Sequence, residues 1–122
     1  MTTKGNHMNA KELIAQANSC YYGEGAELNL EKAAQLYMEA ANLEDPEAMC
    51  LYGYCLRKGI GVEENPEEAF KLFSASADCG FAMAQYNLGY CYEHGIGVDQ
   101  DYDLSRSWYE RAEENGYTEQ YC

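Results

Sequence analysis

Six cysteines, two histidines and the pairs Gly59/Gly61 and Gly95/Gly97 are the residues of this 122-residue chain whose types suggest chemistry. The thiols at 20, 50, 55, 79, 91 and 122 are dispersed, with no Cys-x-x-Cys pair to support redox catalysis. His94 adjoins Glu93 and has no partner at zinc-ligand spacing, so neither a metal site nor a general base is expected there. At a helix end its cationic form would favour the helix dipole. A Gly-x-Gly pair cradles phosphate behind a strand, with further Gly and Lys at set spacing, and both features are missing here. Turn geometry accounts for these glycines. Ser105 and Ser107 have no base beside them, so no set of nucleophile, base and orienting group assembles. No catalytic residue, cofactor or metal is expected.

The elements that carry these residues repeat. Leu51-Tyr-Gly-Tyr-Cys-Leu-Arg-Lys-Gly-Ile-Gly-Val62 returns 36 residues later as Asn87-Leu-Gly-Tyr-Cys-Tyr-Glu-His-Gly-Ile-Gly-Val98. A worn copy, Ala17-Asn-Ser-Cys-Tyr-Tyr-Gly-Glu-Gly25, lies one period upstream. Such a period marks stacked units that usually bind rather than catalyse, and about three copies are the minimum for stability. Each copy reads as two helices. The first has helices over about 9–22 and 30–43, with Asn29 as cap and Ala33, Leu36, Tyr37 and Ala40 buried. In the second, Pro46 starts one helix, Gly59 and Gly61 turn the chain, and Asn65 and Pro66 open the next, with Ala69, Leu72, Phe73 and Ala77 inward. The third runs over about 82–93 and 102–115, with Asp101 as cap and Tyr92, Trp108, Tyr109 and Ala112 assigned to the core. Gly53 and Gly89 fall inside helices, where Gly costs about 1 kcal/mol against Ala. With Ala17 in the same phase, the position demands a small side chain, as a close helix–helix approach would.

The domain boundaries follow the period: repeats over about 9–45, 46–81 and 82–117, then a stub. Residues 1–8 read as a flexible lead-in or a cloning remnant. The tail Gly116-Tyr-Thr-Glu-Gln-Tyr-Cys122 matches the opening Gly80-Phe-Ala-Met-Ala-Gln-Tyr86 and then stops. It is either a cut inside a longer array or a short cap, and an uncapped end face would drive self-association.

Composition narrows the partners. Hydrophobic residues make up 47% of the chain, enough for a core. The 21 acidic against 8 basic residues leave a net charge of −13. That argues against nucleic acid and anionic membranes, which need a basic footprint. The charge either keeps the protein soluble or steers a basic peptide or protein toward it. No apolar stretch is long enough to span a bilayer, and Met1-Thr-Thr-Lys-Gly-Asn-His-Met8 has no apolar region behind it to act as a signal. Only Cys55 and Cys91 are equivalent between copies; residues one repeat apart, roughly 10 Å, are beyond disulfide reach. Reduced thiols and a cytoplasmic location are expected.

The third copy, from Leu88-Gly-Tyr-Cys-Tyr-Glu-His-Gly-Ile-Gly-Val98 through Asp101 to Trp108-Tyr-Glu-Arg-Ala112, resembles the Sel-like repeat, a relative of the tetratricopeptide repeat. The second copy matches from Ala48 to Gly80, with Leu72-Phe73 for the Trp-Tyr pair, and the first keeps Tyr21-Tyr22-Gly23 and Ala33 to Ala41. The resemblance implies an all-α, right-handed α/α solenoid acting as a non-enzymatic interaction scaffold. A cysteine-rich secreted branch joins the helices of each repeat by disulfides; Cys50 and Cys79 lie outside the positions such a pattern requires, so a hydrolase-like relative is the third reading, behind a self-associating structural fragment. Carried over from tetratricopeptide geometry, the concave positions are Lys11, Ile14, Asn18 and Tyr21, then Glu47, Cys50, Tyr54 and Arg57, then Met83, Tyr86, Tyr90 and Glu93. The implied partner-binding face therefore comprises Tyr21, Glu47, Tyr54, Arg57, Met83, Tyr86, Tyr90 and Glu93. Tyr54, Tyr86 and Tyr90 would anchor a peptide or helix, and Glu47 and Glu93 would select Lys or Arg. Tyr54 and Tyr90 have a second reading, as packing between neighbouring helices.

Overall fold

Short polar side chains start most of the helices. Asn9 and Glu12 cap α1 (Ala10–Tyr22) reciprocally: the Glu12 N–H donates to Asn9 Oδ1 at 2.8 Å, and the Asn9 N–H donates to Glu12 Oε1 at 2.9 Å. Asn29 caps α2 (Leu30–Asn42), Asp45 caps α3 (Pro46–Lys58), Asn65 caps α4 (Pro66–Asp78) and Asp101 caps α6 (Tyr102–Glu114). Only α5 (Ala82–His94) starts without a side-chain cap. The first helix of every repeat ends on a left-handed glycine, Gly23, Gly59 or Gly95. The computed structural model describes residues 8–118. The lead-in before Met8 and the tail from residue 119, with Cys122, lie outside them.

The six helices of the described residues form three pairs, α1·α2, α3·α4 and α5·α6, and each pair stacks on the next through α2·α3 and α4·α5. The fold is an all-α solenoid with two layers, odd-numbered helices in one and even-numbered in the other.

The seams explain the repeated glycines. A Cβ at Gly53 would sit 2.9 Å from a Phe73 ring carbon, and one at Gly89 would sit 2.8 Å from a Tyr109 ring carbon. The helices of a pair therefore touch where the side chain is missing, and Ala17, fully buried, takes the same place against α2. The second glycine of each turn serves the stack between pairs. A Cβ at Gly61 would lie 2.1 Å from the Leu30 carbonyl oxygen, and one at Gly97 would lie 2.3 Å from that of Pro66. Each turn is thus seated on the start of the preceding repeat's second helix.

Two cores result, each shared by neighbours. Ala17, Ala33, Tyr37, Ala40 and Cys55 belong to the first, and Leu56, Phe73, Ala77, Leu88 and Cys91 to the second. Burying one such large side chain contributes about 1.5–3 kcal/mol, so no pair is stable by itself. Polar side chains also tie the two helices of a pair together. Ser76 Oγ donates to the Pro46 carbonyl at 2.6 Å, and Asn115 Nδ2 donates to Gln85 Oε1 at 2.8 Å.

Five residues depart from the sequence expectations. Leu72, Tyr92, Trp108 and Tyr109 are only half-buried: the first three lie at the edge of the second core, and Tyr109, unlike its equivalents Tyr37 and Phe73, has no further pair covering α6 among the described residues. Tyr92 and Trp108 pack against the second core, and Tyr109 lays its ring over Gly89. Ile14, placed on the concave face by analogy, is only 4% exposed and belongs to the first core, as an apolar side chain facing its neighbours would.

Candidate functional site

The odd-numbered helices lie side by side and leave a groove of about 500 Å³ between their side chains. Its wall is aromatic: seven of the chain's twelve tyrosines line it, among them Tyr21, Tyr54, Tyr86 and Tyr90. Arg57 and Met83 join them, so six of the eight residues named from the resemblance come together here.

Helical spacing explains the meeting. Tyr54 and Arg57 stand one turn apart on α3, and Tyr86 and Tyr90 one turn apart on α5. The Arg57 guanidinium then lies between the two helices, 5.2 Å from the Tyr54 ring centroid and 4.6 Å from that of Tyr90. Tyr86 stacks on Tyr117 with centroids 4.5 Å apart, and Tyr90 leans on His94 at 4.3 Å. Both rings pack against Arg57 between neighbouring helices, and both line the groove.

Glu47 and Glu93 do not line this groove. Lys11 Nζ lies 3.2 Å from Glu47 Oε1 and 3.2 Å from Asp45 Oδ2, and these partners raise its pKa. Glu93 accepts a 2.6 Å hydrogen bond from the Tyr109 hydroxyl, and burial together with this carboxylate pushes the Tyr109 phenol well above its usual range. Glu93 lines a second cleft, of about 690 Å³, with Tyr109, Glu113 and Tyr117.

Several lining residues were not named from sequence. Tyr37 comes from α2, reaches under the first helix and donates its hydroxyl to Asn18 Oδ1. Its phase matches Phe73 and Tyr109, a core position, and only the polar tip signals the groove. Lys58 sits one residue beyond Arg57, and Tyr117 follows α6, where the match of Gly116-Tyr117 to Gly80-Phe81 was the available signal.

The chemistry on offer is binding. Burial pushes the Cys50 thiol up to about 12 and those of Cys55 and Cys91 up to about 11, so all three remain protonated and poorly nucleophilic at neutral pH. Cys20, Cys50, Cys55, Cys79 and Cys91 are free thiols. Among the described residues no three His, Cys, Asp or Glu side chains gather as metal ligands, and no helix is long and apolar enough to cross a membrane.

Stacked helix pairs with a groove along their first helices define an α/α repeat protein of the tetratricopeptide-like class. The chain belongs to the Sel1 repeat family, whose model (Sel1 repeat) matches residues 13–45, 46–81 and 82–117. Proteins of this family are in general non-enzymatic protein-interaction scaffolds. The crystal structure of a Sel1 repeat protein from Oxalobacter formigenes is similar at 32% identity and a TM-score of 0.82, covering 88% of this chain and 44% of that one. A protective antigen of uropathogenic Escherichia coli with an SLR fold is similar at 30% identity and a TM-score of 0.84, covering 88% of this chain and 23% of that one. Helicobacter pylori cysteine rich protein B shares the fold at 21% identity and a TM-score of 0.69, with 97% and 98% covered. The chain thus spans less than half the length of the first two. No curated protein matches the sequence.

Proposed function

We propose that this protein is a non-enzymatic adaptor whose groove, the concave face of the solenoid, holds an extended peptide or a helix of a partner protein. The observation that carries this reading is the aromatic wall. Tyrosines from three successive repeats, on rigid helices, offer contact area and hydroxyls at low entropic cost. A basic partner, favoured by the net charge of −13, would meet Glu47 and Glu93 only outside the groove. The seat of action we assign is the cytoplasm, where the buried thiols stay reduced. The test is affinity capture from the source cell's lysate with the wild type beside a Tyr54→Ala/Tyr90→Ala variant. A protein held by the first and lost by the second, at unchanged helicity, supports the groove; identical captures overturn it.

A second reading, end-to-end self-association, has its own observation. Tyr102 and Leu104 are 64% and 42% exposed at the start of α6, and Tyr102 is the repeat equivalent of Leu30 and Pro66, on which the turns at Gly61 and Gly97 sit. Light scattering across a concentration series tests it: rising mass supports association, and a constant monomer mass removes it.

A further inference from the structure

The groove differs in charge from the rest of the molecule. The chain has 21 acidic and 8 basic residues, yet among the described residues no Asp or Glu lines the groove, while Arg57 and Lys58 do. Arg57 is held by rings rather than by a carboxylate, and its Nε is buried without a hydrogen-bond partner. Neither Arg57 nor Lys58 forms an ion pair among the described residues, although Lys11, on the same layer, takes two carboxylates at once. A guanidinium clamped between two tyrosines has lost much of its rotamer freedom and part of its water. Its planar fork suits a carboxylate, which it can bind through two parallel hydrogen bonds.

We infer that the occupant of the groove is an acidic segment, a reading that rests on the groove being the peptide-binding face. An Asp or Glu side chain of the segment meets Arg57, an adjacent acid meets Lys58, and an aromatic or apolar neighbour lies on the tyrosine wall. The net charge of −13 does not forbid this. At physiological salt the Debye length is about 8 Å, so exposed carboxylates farther than that from Arg57 are largely screened, whereas a contact pair at a half-desolvated edge is not. A lysine in the same segment would be driven against Arg57, with no carboxylate among the described lining residues to receive it.

The whole protein and its Tyr54→Ala/Tyr90→Ala variant are panned in parallel against a random nonapeptide library. Enriched sequences are remade with acetylated and amidated ends, and with their acids changed to Gln or Asn, for anisotropy titration. The expected result is enrichment of Asp or Glu beside an aromatic residue and a roughly tenfold or greater loss of affinity for the neutral peptides. Arg57→Gln should abolish the preference, Arg57→Lys should keep part of it, and Lys58→Gln should weaken it less. Circular dichroism of each variant keeps folding apart from binding, and Arg57→Lys with Lys58→Gln carry the comparison where Arg57→Gln does not fold. A preference that needs a free C-terminal carboxylate overturns the side-chain assignment. Neutral or basic sequences that the double variant loses overturn the acidic occupant and leave the groove reading standing. An unenriched library, or sequences that the double variant retains, overturns both.

Discussion

The seams and the groove use the same helices and obey opposite rules. At the seams the residues repeat: Ala17, Gly53 and Gly89 in one phase, Tyr37, Phe73 and Tyr109 opposite them, and Gly61 and Gly97 on the next turn. Along the groove Tyr54 recurs as Tyr90, but the charged positions do not recur. The equivalents of Arg57 are Tyr21 and Glu93, those of Tyr54 are Asn18 and Tyr90, and those of Lys58 are Tyr22 and His94. A seam must present the same surface to the same neighbour each time, so one solution recurs. A groove that reads a single ligand needs a different side chain at each step along it. Repetition therefore marks what holds this fold together, and departure from repetition marks where it can discriminate.

The largest effects should come from breaking a seam. Phe73→Ala should cost about 3–5 kcal/mol, because Phe73 is wholly buried and the rigid helices of its pair cannot close the cavity. Urea unfolding followed by circular dichroism would measure it. Gly61→Ala should cost about 2–4 kcal/mol, combining a positive φ of 69° with a Cβ that would press on the Leu30 carbonyl. Gly25, its counterpart in the first repeat, has only Ser19 Oγ nearby at 3.9 Å, so Gly25→Ala should cost clearly less in the same assay and isolate the stacking component.

Smaller effects sharpen the contrast. The buried thiols titrate higher in the folded chain than their ordinary value of 9.0, Cys50 at about 12 and Cys55 and Cys91 at about 11. Below pH 9 these thiols are neutral in both states and stability does not depend on them. Between 9 and about 11 the unfolded chain loses their protons first, so stability falls as pH rises, by roughly 1 kcal/mol for each thiol at pH 10. Urea midpoints at pH 8 and pH 10 check the sign. Asp101→Ala removes the acceptor of the 3.1 Å bond from the Leu104 N–H and should cost about 1 kcal/mol in a thermal melt. Arg57→Gln should change stability least, by about 0.5–1 kcal/mol for its half-exposed cation–π contacts, while removing ligand discrimination. A seam-sized loss from Arg57→Gln would erase the distinction between the two regions.

What the sequence made legible divides along the same line. The period, the turns at Gly59/Gly61 and Gly95/Gly97, and the starts at Asn29, Pro46, Asn65 and Asp101 are local signals, and each sits at the element it announces. The caps Asn9 and Asp45 are equally local and went unassigned, because a helix start read from apolar phase or from Pro46 carries no cap in view. The groove is not local. Period alone says that Tyr54 and Arg57 share a face, but not that Lys11 from the neighbouring repeat takes up Glu47, that Tyr109 from the paired helix takes up Glu93, or that Tyr37 and Tyr117 reach in from outside the first-helix layer. Those facts depend on the tilt and spacing of packed helices, which a one-dimensional pattern does not encode.

The central claim is that the odd-helix groove, and not the acidic outer layer, is the face that meets a partner. Photo-crosslinking tests it most directly, with p-benzoylphenylalanine placed at the position of Tyr54 in one protein and at that of the exposed Glu110 on α6 in another. Crosslinks to one discrete partner from position 54, and none from position 110, are the result this account predicts. Crosslinks from position 110 with none from position 54 would contradict it.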